Sequence, residues 1–165
     1  MAMYVHLAPA AAVRRIRRAG IARARRPYGD FPGGVFAVPV TADYVVTHQW
    51  VRELARWCAG PMVGVYFRIP DDERVWAGHY HKRHHWMTAA QACATFMATR
   101  SRLGWEVIIP RKIGPGEIRR VGGLRQTIGW RYFPGAHGRA PCPCASCTRG
   151  AYKAASIRRR LGDGE

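Results

Sequence analysis

"LGWEVIIP", residues 103–110, carries the alternation of a β-strand: Trp105, Val107 and Ile109 fall on one face, Glu106 and Ile108 on the other. The chain holds 27 Lys+Arg against only 10 Asp+Glu, so an acid in the middle of so apolar a strand needs a reason. One reason is an ion pair, since every basic residue except Lys82, Lys112 and Lys153 is an arginine. The other is function. A buried carboxylate is costly unless it is paired, and functional sites are where such a cost is tolerated.

Outward from this strand, short apolar runs and single helices alternate. Met3 to Leu7 reads as a strand. "PAAAVRRIRRAGI" follows as a helix with Pro9 at its start, Val13 and Ile16 on one face, and Gly20 as its C-cap. Residues 23–33 read as a loop, "GVFAV" as a strand, and "TADYVVTHQWVRELARWC" as an amphipathic helix that Gly60 and Pro61 break. "MVGVYFRI" is a strand ended by Pro70 and the turn "DDE". "HYHKRHHW" is a polar stretch of no definite form, and "MTAAQACATFMATRS" is helical. After "WEVIIP" come a turn and short element in "GPGEIRRV", a strand in "RQTIGWRYF", an irregular Cys-rich loop and a basic terminal helix, "TRGAYKAASIRRRL". This mixture predicts an α+β core over residues 1–133 and a small extension over 134–165.

With 165 residues, a 48% hydrophobic fraction and six tryptophans, the chain can bury a genuine core. Its formal charge of +17 points to a polyanionic partner, nucleic acid being the simplest. An unspecific basic surface is the alternative. No run approaches the roughly 20 apolar residues of a membrane helix, so no membrane partner is expected. The arginine-rich, acid-free first 29 residues lack serine, and "MYVHLA" reads better as an opening strand than as a transit peptide. A cytoplasmic location is expected.

Three segments taken in order resemble the ADP-ribosyltransferase superfamily: "YVHLAPAAAVRRIRRAGI", "GGVFAVPVTADY" and "WEVIIP". In that superfamily a first-strand His, a middle aromatic and a late-strand Glu converge on NAD. The nearest-looking branch is the nucleic-acid-modifying, DarT-like one, whose Glu likewise sits in a Glu-Val-aliphatic strand before a Pro-containing turn and "EIRRV"-like residues. The resemblance covers roughly residues 3–121 and implies an ADP-ribosyltransferase-like split mixed sheet. It also implies roles. Glu106 stabilises the positive charge that builds on the ribose as the nicotinamide bond breaks. His6 bonds the adenosine-side ribose, and Tyr44 stacks on nicotinamide, with Phe36 a second candidate. Taken singly, His6 reads as a satisfied core histidine and Tyr44 as a helix-face aromatic.

Two positions depart from the family's pattern. Leu7 and Ala8 follow His6, where a small or hydroxyl-bearing residue is common. Gly104 stands two residues before Glu106, where the arginine-modifying branches carry an acid. That leaves nucleic acid or another nucleophile as the acceptor, with Arg14, Arg18, Lys82, Arg83, Arg158 and Arg159 as candidate nucleic-acid contacts. A toxin or defence effector with a regulatory partner fits such an activity. The RNA 2′-phosphotransferase branch of the same fold is a second reading, although it relies on an Arg/His set rather than a late Glu.

Cys142, Cys144 and Cys147 crowd into six residues, with His137 nearby and Cys93 as another possible fourth ligand. That spacing suits a structural zinc site. A cluster of free thiols is the alternative. A zinc-containing, non-catalytic nucleic-acid-binding protein is therefore a third reading. His79, His81, His84 and His85 form a polar run that reads as a solvated loop, or as a contact for metal or phosphate with Arg68, Lys82 and Arg83.

Overall fold

The computed structural model describes residues 1–24, 33–42, 44–54, 58, 60–80 and 82–124. The expected strand at 125–133 and the extension at 134–165 lie outside the described residues. The elements run β1 (Ala2–Pro9), a 3₁₀ turn (Ala10–Ala12), α1 (Val13–Ala19), β2 (Val35–Pro39) and α2 (Tyr44–Leu54). β3 (Met62–Ile69), β4 (Arg74–His79), β5 (His85–Thr88) and α3 (Ala89–Ala98) come next. β6 (Trp105–Ile109), a second 3₁₀ turn (Pro115–Glu117) and β7 (Ile118–Gly123) complete the set.

The strands form one seven-stranded sheet in the order β5-β4-β6-β2-β1-β3-β7. The fold is α+β, as expected, but the sheet is not mixed. Every pairing in it is antiparallel. Parallel neighbours each demand a long crossover, usually a helix, and these strands instead pair with partners that return in the opposite sense.

β6 shows why the alternation in "WEVIIP" is real and yet incomplete. Trp105, Val107 and Ile109 join the main core with Tyr4, Val65, Phe67, Ile16 of α1 and Phe96 of α3. Ile108 and Glu106, on the other face, are buried too. That opposite face carries a second cluster of Val5, Leu7, Val38, Val51 of α2 and Met62. The sheet is thus covered on both sides, and each fully buried aliphatic or aromatic side chain contributes about 1.5–3 kcal/mol.

Sequence reading gave no strand to "RVWAGH", which is β4. Its alternation, Val75 and Ala77 inward against Trp76 and Gly78, was the available signal. Thr88 ends β5 rather than lying inside a helix. It caps α3, accepting from Gln91 N at 3.2 Å while Gln91 Oε1 accepts from Thr88 N at 2.9 Å.

Two acids are used up at the far end of β6. Arg111 forks onto both Glu73 (2.8 and 2.7 Å) and Glu117 (2.8 and 2.6 Å). Arg111 holds the Glu117 carboxyl below the usual carboxylate range. A depressed carboxyl pKa gives stability that is present above the unfolded value and lost as pH falls through the folded one. Arg111→Met is therefore expected to lower Tm by a few degrees at neutral pH. It should also flatten the acid limb of thermal denaturation followed from pH 6 downwards.

Candidate active site

Three sequence-selected residues meet at one cavity. Glu106 comes from β6, Phe36 from β2 and His6 from β1, three strands that are neighbours in the sheet. The cavity holds about 450 Å³ and is also lined by Val5, Leu7, Val38, Trp50, Glu53, Leu54 and Tyr80. Its size and mostly apolar lining with a few polar groups suit a small-molecule site.

Strand register explains how Phe36 and Glu106 come to one face. Phe36 pairs with Ile108, and Ile108 pairs with Trp76, while Gly78 pairs with Glu106. Directly paired residues share a face, so Phe36, Ile108, Glu106, Gly78 and Trp76 lie on one side of the sheet. Between β1 and β2 the ladder has only two pairs, Tyr4 with Pro39 and Val5 with Val38. Beyond them the His6 ring takes over, its Nδ1 bonding the Phe36 carbonyl at 2.7 Å. A carbonyl oxygen only accepts, so Nδ1 carries the proton. Burial pushes the His6 pKa down, opposed by the Phe36 bond. The ring is neutral at pH 7, and its Nε2 is an acceptor for a hydroxyl.

A buried histidine stands at hydrogen-bond distance from Glu106. His84 Nε2 stands 3.1 Å from Glu106 Oε1, with the two side chains only 2% and 7% exposed. His84 Nδ1 bonds the Lys82 carbonyl at 3.0 Å, and Trp76 packs against the ring at 4.7 Å between centroids. Burial lowers the His84 pKa, with the Lys82 bond opposing and His85 and His79 adding to the fall. Gly78 makes the approach possible. A Cβ there would meet His84 Cα at 3.0 Å and the Arg83 carbonyl oxygen at 3.1 Å.

The turn into β6 is clamped from α2. Gly104 N donates to Gln49 Oε1 at 2.7 Å, and Trp50 Nε1 donates to the Trp105 carbonyl at 3.0 Å. Tyr80 N donates to the Gly104 carbonyl at 2.6 Å, and Trp50 meets Tyr80 edge to face at 5.8 Å. The cavity wall is thereby tied to the strand that carries Glu106.

The remaining sequence-selected residues divide by position. Tyr44 begins α2, but its side chain lies outside the described residues, as do His81, Arg158, Arg159, His137, Cys142, Cys144 and Cys147. Arg14 and Arg18 are exposed on α1, and Lys82, Arg83 and His85 are exposed around the β4–β5 connection. His79 bonds the Ser101 carbonyl at 2.8 Å. Cys93 is half-buried on α3, its thiol beside the Tyr4 hydroxyl and pushed up by burial. Among the described residues, no group of three or more His, Cys, Asp or Glu is arranged to hold a metal ion, and no helix is long and apolar enough to cross a membrane.

Sequence reading missed two members of the site. Glu53 was not singled out in the sequence, and it lines the cavity together with Trp50 and Leu54 of the same helix. His84 was one of four histidines in a polar run, and nothing local marked it as the buried one. Compared with family models, curated proteins and solved structures, the chain finds no match.

Proposed function

We propose that the cavity binds NAD and that the protein transfers ADP-ribose to a nucleic acid. The observation that carries this reading is the convergence of His6, Phe36 and Glu106 on one cavity, with Glu106 buried on an apolar strand. In the reaction, the bond between nicotinamide and ribose C1′ breaks and its electron pair neutralises the pyridinium ring. The ribose takes on oxocarbenium character, which an adjacent carboxylate stabilises far better than water-exposed groups do. An acceptor lone pair then bonds to C1′ and the acceptor loses its proton. Glu106 supplies the charge, Phe36 an aromatic face and His6 Nε2 a partner for a ribose hydroxyl.

Nucleic acid is favoured as acceptor by the +17 charge and by the β4–β5 hairpin. Trp86 is 48% exposed there and Tyr80 43%, beside the exposed Lys82 and Arg83. Aromatics for base stacking next to cations for phosphate are the usual elements of single-strand binding.

The test is to incubate the protein with labelled NAD and a mixture of DNA, RNA and protein. Label on nucleic acid that requires Glu106 supports the reading. NAD consumption indifferent to Glu106 removes its role, and nucleic-acid binding without NAD turnover favours the non-catalytic binding protein. Within the first outcome, His6→Ala should raise KM for NAD by about tenfold with little change in kcat, the signature of lost ground-state binding. Initial rates of nicotinamide release against NAD concentration measure both, and an unchanged KM would remove His6 from the ligand contacts.

A further inference from the structure

The contact between His84 and Glu106 constrains protons as well as positions. With the Lys82 carbonyl accepting at Nδ1, that nitrogen must carry hydrogen. The 3.1 Å contact between Nε2 and Glu106 Oε1 then needs one more proton between nitrogen and oxygen. It is held either as imidazolium beside carboxylate or as imidazole beside carboxyl, and the two groups titrate as a unit. If that proton leaves, a nitrogen lone pair faces a carboxylate oxygen across a buried gap, and the contact is repulsive.

The pair is also built into the fold rather than formed by chance on a surface. Gly78 is the register partner of Glu106, and its lack of a side chain leaves the slot into which the His84 backbone and ring fit. Trp76, from the same strand, closes over the ring.

The geometry points to His84 as the positioning residue for Glu106: one shared proton holds the carboxylate at the cavity wall and sets the pH range in which the site works. The pairing stands on the contacts alone, and its kinetic consequence rests on the proposed transfer from NAD. Among the described residues, the charged and titratable groups near His84 include Glu106 on β6, His79 on β4 and His85 on β5, with the Lys82 carbonyl on the connection. Burial and the two histidines disfavour the imidazolium, while a carboxylate at Glu106 favours it. Loss of the shared proton ends activity as pH rises and forms the alkaline limb of the profile, and the lowered His84 pKa draws that limb towards lower pH.

Nicotinamide release from NAD, followed from about pH 5 to 9 in wild type, His84→Ala and His84→Gln, tests the consequence. A glutamine amide can donate to Glu106 but does not titrate. His84→Ala should lose about tenfold or more in kcat with KM nearly unchanged. His84→Gln should recover most of that loss and lack the alkaline limb. Independently of turnover, the imidazole ¹⁵N titration of His84 should move to lower pH in Glu106→Gln, because the carboxylate that favours the imidazolium is gone. A His84→Gln variant as poor as His84→Ala, an alkaline limb that persists in it, or a His84 titration unmoved by Glu106→Gln would each overturn the inference. If the wild type releases no nicotinamide, the NAD reading falls instead, and the imidazole titration alone decides whether the proton is shared.

Discussion

Glu106→Gln should reduce kcat for NAD cleavage by about 10²–10³-fold, the scale seen when one preorganised electrostatic contact to a transition state is removed. Glutamine matches glutamate in shape and can still bond His84, so the cavity and β6 should keep their geometry. What disappears is the negative charge beside the ribose. KM for NAD should change little, since the charge matters most where the oxocarbenium develops and not in the bound ground state. Folding should not suffer. The neutral amide can donate to His84 Nε2, so the substitution leaves no unpaired buried charge on either side chain. Single-turnover nicotinamide release and thermal denaturation of the same preparation separate the two effects. Cleavage that stays within about threefold of wild type would show that Glu106 does not stabilise the transition state. A collapse of Tm would show that Glu106 is structural.

Gly20→Ala should be the most damaging single methyl group in the described part of the chain, destabilising it by about 3–5 kcal/mol. Gly20 ends α1 at φ +81°, and a Cβ there would sit 2.0 Å from the Ile113 carbonyl oxygen. That oxygen accepts from Ile21 N at 2.9 Å, and Ile113 N donates back to the Ile21 carbonyl at 3.0 Å. Alanine at φ +81° and ψ −172°, a region essentially open to glycine only, costs about 1–3 kcal/mol by itself. Displacing Ile113 adds the two bridge hydrogen bonds and disturbs a fully buried side chain, each worth on the order of 1 kcal/mol or more. Against a total stability of about 5–15 kcal/mol, this is a large fraction. Gly60 is the control. It has φ +86° and nothing within 4 Å of a built Cβ, so Gly60→Ala should show the backbone cost without the clash. Urea midpoints of the two variants give the comparison, and equal losses would mean that the contact with Ile113 contributes nothing.

Both results bear on what could be read before the fold was known. Gly20 as the stop of the first helix and the alternation of "WEVIIP" were legible, because helix termination and side-chain period are local properties of the backbone. His6, Phe36 and Glu106 were each visible as residues, and the strand order brings them to one cavity. β4 was missed because "RVWAGH" is short and carries Gly78 at the very position that later accommodates His84. The sheet was expected to be mixed because the family resemblance implied it, and chain order alone does not show which strands become neighbours. The Cys-rich segment and the basic terminal helix lie outside the described residues.

By itself the sequence determined that Glu106 would be an anomaly: a lone acid in an apolar strand of a chain poor in acids. It did not determine what that acid would face. An arginine was one of two expectations, yet a buried histidine, His84, one of seven in the chain, stands at hydrogen-bond distance. That choice was made by the pairing of β4 with β6, which sets Gly78 opposite Glu106 and opens the slot over it. Register depends on contacts between residues far apart in the chain, and a slip of one residue would send every side chain of the strand to the other face. Only tertiary structure decides it.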